Sequence, residues 1–217
     1  RKFFTKIFYD TNSDNKISEI KNLLNFLNFN LHEDDLKIID KSIVSLRNFT
    51  IPKFEKFTLL HLDEKWIFND YILSYKSIEP VSEKILMNFI EQLILKTNND
   101  VFISTGNIPN KFTDFIKLNF LNIGKNIYEL KVFNNKVIFF DNLNFLQLEK
   151  LILFANLLIS CHGAPTHVAA AFDVKIIDII DSSEKVFFNK WTSHFNDYTC
   201  IERDSFNFLA NKIIINS

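Results

Sequence analysis

Residues 159–172 read Ile-Ser-Cys-His-Gly-Ala-Pro-Thr-His-Val-Ala-Ala-Ala-Phe, and they place two imidazoles and two hydroxyls around one of only three glycines in the chain. The apolar run LLISC (157–161) reads as a strand that stops just before Gly163. Pro165 then opens a helix, a position where its missing N–H costs nothing. Glycine permits positive φ and a close backbone approach. The new helix offers unpaired N–H groups at Ala164, Thr166 and His167 and a positive dipole end. Those features make a phosphate cradle, to which the side chains of Thr166 and His167 can add donors. The same residues also suit an ordinary strand–turn–helix corner, with Gly163 for the turn and Ala169, Ala170 and Ala171 for close packing.

Two more corners carry chemistry of the same kind. HLDEKW (61–66) leaves the apolar strand FTLLHL and brings a carboxylate pair, Lys65 and Trp66 into a loop. Lys65 at a strand's carboxyl end can meet a phosphate as a point charge, and Trp66 can wall a pocket. A solvated Asp-Glu-Lys turn, with Trp66 filling a gap, fits equally. Gly106-Asn107 closes the strand DVFIST (100–105) in a similar way. In open α/β sheets ligands bind beyond the carboxyl ends of strands, so three such corners on one edge mean more than any one.

Other reactive residues carry less. His162 and His167 are five apart, a spacing that does not align two ligands on a helix, and no Cys/His cluster accompanies them. Cys161 and His162 are neighbours at a strand end and point to opposite faces, so Cys161 reads as a buried structural thiol. His61 reads as a satisfied core residue, and His32 and His194 as surface residues. KWTSHFNDY (190–198) reads either as a loop over the site, with Trp191 stacking on a base, or as packing against the last helix.

The elements that must hold these corners alternate between strand and helix. Strands are expected at 57–62, 100–105, 136–140, 157–161, 174–180 and 198–202, with helices at 79–97, 143–155, 165–172 and 205–213. Apolar strands alternating with helices imply a Rossmann-like parallel sheet with helices on both faces. Residues 1–56 differ: an Asn/Asp-rich turn, an amphipathic helix (ISEIKNLLNFLNF) and a polar stretch up to Pro52 suggest a connector. Residues 57–217 form the α/β domain.

Composition excludes several classes. The 217 residues are 47% hydrophobic, enough for a sizeable core, and the 25 Phe among them read as codon bias. A net charge of −1 gives no general attraction to nucleic acid. Two cysteines are too few for a disulfide framework, and the longest apolar run, LILFANLLISC, is shorter than a membrane span, so a cytoplasmic protein is expected. The chain begins Arg-Lys-Phe-Phe without a Met, as an excised fragment would. No G-x-G-x-x-G occurs, which disfavours a Rossmann redox enzyme.

These residues and their order resemble the carboxyl-terminal, donor-binding half of the family-nine glycosyltransferases, the ADP-heptose heptosyltransferases of lipopolysaccharide core synthesis, which have a GT-B fold. In that family a strand ends in Lys-Trp or Lys-x-Trp, here Lys65-Trp66, and a later strand in a glycine loop, here STGN (104–107). The signature Ser-x-Asp-(Ser/Thr)-Gly-x-x-His-x-Ala-Ala-Ala meets Ser160, His167 and Ala169–Ala171. His162 stands at the Asp position, Gly163 at the Ser/Thr position and Ala164 at the Gly position, as in a divergent branch using another nucleotide sugar. The resemblance implies a nucleotide-diphosphate sugar as substrate, a glycan or glycolipid acceptor, and no cofactor or metal. The diphosphate would lie over the helix opening at Pro165, opposite Lys65, near His162, Gly163, Ala164, Thr166 and His167. The base would lie near Phe140 and Asp141, and Gly106 and Asn107 would complete the edge. The family's Asp base belongs to an amino-terminal acceptor domain, so no catalytic residue is assigned here. Residues 1–56 would then be a connector or the end of that missing domain, through which the protein could sit at the inner face of the membrane. A non-catalytic GT-B-like interaction module and a GT-B-shaped nucleotide-sugar epimerase are the alternatives.

Overall fold

The computed structural model describes residues 16–26, 49–66, 78, 82–106 and 111–217. Two compact units are distinguished. One comprises Arg1–Ile38 with Ser183–Phe195, and the other Ile39–Ser182 with Asn196–Ser217. In the first, helix α1 (Lys16–Phe26) packs against α6 (Lys185–Thr192).

The second unit holds one eight-stranded sheet. Its strands are β1 (Phe57–Leu62), β2 (Asp100–Thr105), β3 (Leu121–Gly124), β4 (Ile127–Val132), β5 (Asn135–Phe140), β6 (Leu157–Cys161), β7 (Lys175–Ile180) and β8 (Tyr198–Glu202). Their order is β3-β4-β5-β2-β1-β6-β7-β8. The pairs β5–β2, β2–β1, β1–β6, β6–β7 and β7–β8 are parallel. At one end β3 and β4 extend the sheet with antiparallel pairing. The α/β class and six strands agree with the sequence reading, whereas β3, β4 and the helix before them, α3 (Lys111–Asn119), were not expected. Their short, mostly exposed or half-buried residues lack the apolar runs that marked the other strands.

Helices cover both faces. On one, α2 (Glu83–Thr97) and α7 (Phe206–Asn216) bury Leu86, Phe89, Ile90, Leu93, Leu209 and Ile213 against Leu60, Ile103, Ile159 and Ile177. On the other lie α4 (Phe145–Phe154) and α5 (Ala164–Ala171). Local chemistry sets the ends. The hydroxyl of Ser82 accepts from Ile85 N–H at 3.4 Å, so Ser82 is the N-cap from which α2 begins at Glu83. Asn98 closes α2 in the left-handed conformation, φ 52°. Asn144 and Gln147 exchange side-chain and backbone bonds at 2.9 Å each, a capping box that starts α4 at Phe145. The α6 helix corrects the expected loop at 190–198, because Lys185–Thr192 is helical and carries Trp191 within it.

Candidate functional site

The order β2-β1-β6 sets three strand ends side by side: Thr105-Gly106, Leu62 followed by Asp63 to Trp66, and Cys161 followed by Gly163. After β1 the chain makes a single 3-10 turn, Glu64–Trp66. That turn is anchored by Lys65 N–H, which donates to Asp63 Oδ1 at 3.1 Å. It aims the Lys65 side chain at the neighbouring corner, where Nζ donates to the carbonyl of His162 at 2.9 Å and pairs with Asp63 Oδ2 at 3.3 Å.

Gly163 is explained by that approach. Its φ is 174°, an extended backbone open to any residue, so the expectation of positive φ is corrected. The constraint is steric. A Cβ on Gly163 would lie under 3.0 Å from Lys65 Nζ, closer than real Cβ atoms come. Gly106 has a related role, since a Cβ there would meet Glu64 Oε2 at 2.6 Å and Asp63 Cβ at 3.3 Å. Both glycines therefore make room for the Asp63–Lys65 turn between them.

The α5 corner differs in one respect from an open cradle. Thr166 is fully buried, so the expected role of its hydroxyl as a ligand donor is corrected. Thr166 Oγ1 accepts from Gly163 N–H at 3.3 Å, donates to Asp178 Oδ1 at 3.2 Å and lies 3.4 Å from Ser160 Oγ. Thr166 N–H in turn bonds the Gly163 carbonyl at 3.0 Å. Thr166 thus builds the corner, while Ala164 is exposed at its opening and Pro165 is buried beneath it. His162 Nδ1 lies 2.6 Å from Asp178 Oδ2, and its ring meets that of His167 edge-on with centroids 5.2 Å apart.

Two expected site residues belong to the interior. Trp66 is buried, and its indole N–H donates to the His61 carbonyl at 2.9 Å, so it fills the core under the turn and walls no pocket. The ring of Phe140 is fully buried against Phe102 and Phe49, which leaves no face of it for a base. Asp141 beside it is half-buried and paired with Lys117 at 2.7 Å. That hydrogen bond raises the Lys117 pKa. Asn107 and His32 lie outside the described residues.

Some residues at the site escaped the sequence reading. Arg203, just past β8, is buried and donates to the Lys65 carbonyl and, at 3.5 Å, to Cys161 Sγ. Asp178 sits inside an apolar strand and Tyr198 at the start of another. No local pattern ties either to His162, because only the sheet order brings them there. A single carboxylate among isoleucines in KIIDII was the available hint. Electrostatics follow burial. Burial pushes the Asp63 carboxyl up, with Lys65 and Arg203 pulling partly against it. Burial, helped by the Lys65 charge and opposed by Glu64, pushes His61 down to about 4, and its Nδ1 lies 2.9 Å from Ser104 Oγ, as a core histidine's would. Burial raises the Cys161 thiol well above its ordinary value, so it is the inert thiol expected.

The arrangement is thus two buried carboxylates, Asp63 and Asp178, a half-covered ammonium and two imidazoles around the opening of a helix. In shape it has known counterparts. E. coli heptosyltransferase WaaC, solved with ADP, matches 99% of this chain with a TM-score of 0.58 at 12% sequence identity. The fold is that of a GT-B glycosyltransferase. The same enzyme solved with ADP-2-deoxy-2-fluoro heptose matches equally well in TM-score and identity, again over 99% of this chain. The chain spans 61% and 60% of the length of those two structures. A UDP-GlcNAc 2-epimerase from Methanocaldococcus jannaschii, solved with UDP-GlcNAc and UDP, matches at a TM-score of 0.48 and 14% identity over 94% of this chain and 54% of its own. The sequence matches no protein-family model and no curated protein. The likeness is therefore carried by the order of strands and helices. No helix among the described residues is long and apolar enough to cross a membrane.

Proposed function

We propose that this chain is the donor-binding half of an inverting GT-B glycosyltransferase that takes a sugar from a nucleotide-diphosphate donor. The acceptor is a cell-envelope glycan or glycolipid, such as a bacterial lipopolysaccharide core. One observation carries the reading. Lys65 Nζ stands at the α5 corner in the space that any side chain on residue 163 would take. A cation held beside a helix opening suits a diphosphate, because ammonium and helix dipole act on the same charge. In transfer, the acceptor hydroxyl attacks the anomeric carbon as the bond to the diphosphate breaks. The leaving charge then falls on this corner, where Lys65 and the helix dipole offset it. The base that takes the acceptor's proton belongs to residues outside this chain's donor half.

The test is calorimetric titration and thermal shift with ADP-, GDP-, UDP- and CMP-sugars. Stabilisation by one nucleotide class, lost in Lys65→Ala, is the expected result. No response to any of them refutes donor binding. It would favour an interaction module instead, a reading supported by Thr166, whose hydroxyl already occupies the Gly163 N–H.

A further inference from the structure

Asp178 lies inside β7, between β6 and β8, and is wholly shielded from water. A carboxylate there costs several kcal/mol unless its lone pairs are used. Thr166 Oγ1 donates to Oδ1 at 3.2 Å, the Tyr198 hydroxyl donates to Oδ2 at 2.9 Å, and His162 Nδ1 lies 2.6 Å from that same Oδ2. With two hydroxyls donating into it, the carboxylate is the acceptor of the imidazole contact as well, so Nδ1 carries the proton. The separation is that of a charge-assisted bond. Nε2 is then on the side of the ring turned away from β7. The His162 side chain is 9% exposed, and the His162 carbonyl is the group that holds Lys65 Nζ. One residue therefore presents an imidazole through its side chain and an ammonium through its main chain, on the two flanks of Gly163. An isoleucine at 178 would have continued the apolar strand. The carboxylate satisfies an imidazole instead.

We infer that Asp178 is a positioning residue: by accepting from Nδ1–H it fixes the direction of the His162 ring, so that the ring, protonated at both nitrogens when the ligand is bound, donates from Nε2–H to the anionic ligand of this corner from the flank opposite Lys65. The ligand half of this inference rests on the donor-binding reading, whereas the His162–Asp178 pairing stands on geometry alone. Two donors on separate flanks suit a diphosphate, whose charge is spread over two phosphorus centres, better than a monophosphate.

The test uses the full chain, 15N-labelled at histidine, as wild type, Asp178→Asn, His162→Gln and the double variant. Wild-type His162 shows a far-downfield Nδ1 proton, and Asp178→Asn moves that proton upfield. Titrations compare ADP and UDP with AMP and UMP. Asp178→Asn weakens the diphosphates roughly tenfold, the size of one charge-assisted bond, and the monophosphates by less than about twofold. The double variant binds no more weakly than His162→Gln. Unmoved His162 resonances in Asp178→Asn, or additive losses in the double variant, overturn the inference. If Asp178→Asn does not fold, Tyr198→Phe replaces it: with Oδ2 left to His162, the Nδ1 proton moves further downfield, and an unmoved proton again overturns the inference. Failure of all four nucleotides to bind wild type refutes the donor-binding reading instead, and the resonances alone then decide the role of Asp178.

Discussion

Gly163→Ala separates the fold from the site. At φ 174° alanine meets no backbone strain, and its methyl lies at ordinary contact distance from Lys65 Cε and Pro165 Cδ, 3.7 Å in each case. The clash is with Lys65 Nζ, the far end of a flexible chain that is 28% exposed. The ammonium swings away and gives up its bond to the His162 carbonyl. For a charged donor partly open to water that costs about 1 kcal/mol. Replacing glycine in an allowed conformation returns roughly 0.4–1 kcal/mol by restricting the unfolded chain. Net stability therefore changes by less than about 1 kcal/mol, or roughly 2–4 °C in Tm for a chain of this size. Ligand binding loses an ammonium–phosphate contact of about 1.5–3 kcal/mol, roughly 10- to 150-fold in Kd.

Urea unfolding and calorimetric titration with the nucleoside diphosphate that binds wild type make the comparison. The decisive arm is the cycle with Lys65→Met. Once the ammonium is gone, Gly163→Ala has nothing left to displace and costs no further affinity. A Gly163→Ala protein that binds like wild type, or that loses as much affinity in the Lys65→Met background, refutes the idea that the two residues compete for one space. Gly124→Ala is the control, because its Cβ meets Ile127 Cδ1 at an ordinary 3.9 Å.

The remaining predictions concern the groups beneath the corner. Burial, with Lys65 adding, holds folded His61 near 4 against 6.5 unfolded, so its contribution is complete above about pH 6.5 and is lost as pH falls toward 4. Unfolding titrations from pH 7 to 5 should show a loss of about 2 kcal/mol that His61→Asn removes; Asp63, raised by burial, acts with the opposite sign in both proteins. Arg203→Met leaves the Lys65 carbonyl without its guanidinium and costs about 2–4 kcal/mol in urea unfolding, and Arg203→Lys does not restore it, because one ammonium cannot span Lys65 O and Cys161 Sγ. A thiol reagent at pH 8 modifies half-buried Cys200 in the native protein and reaches Cys161 only on unfolding, as two-phase kinetics would show.

Strands buried on both faces were legible because apolar residues dominate them: FTLLHL, DVFIST and LLISC are mostly apolar runs broken by a few polar residues near their ends. The hairpin β3–β4 was not, since at the sheet's end LNIG and IYELKV are, apart from buried Val132, exposed or half-buried and obey pairing more than burial. At the site, Lys65 and Gly163 could be read as two corners of one edge, because each follows a recognisable strand. Their contact across 97 residues depends on β1 and β6 being neighbours, which no local pattern encodes. Gly163 was the right residue noticed for the wrong reason, as its backbone is ordinary and its missing Cβ is what matters. Thr166 and Trp66 look like ligand groups in sequence because both are polar near a loop. Burial turns their donors inward instead.

The register of the strands explains how so apolar a sheet carries a polar edge. His61 pairs with Ser104 on one side and Ser160 on the other, Ser160 with Asp178, and Asp178 with Cys200. Residues in register on parallel strands share a face, so one line of polar side chains crosses five strands next to their carboxyl ends. Left unpaired, each would cost more than a strand pairing returns. Every buried side-chain nitrogen and oxygen among the described residues has a partner: His61 takes Ser104, and Thr166 reaches down from α5 to join Ser160 and Asp178. The row is therefore the floor of the site. Below it the strands need only be apolar. Above it, Lys65, Gly163 and His162 are held in place by groups that the row has already fixed. Substituting a member of the row should thus move the corner before it melts the sheet, and so Asp178, remote in sequence from Lys65, belongs to the same site.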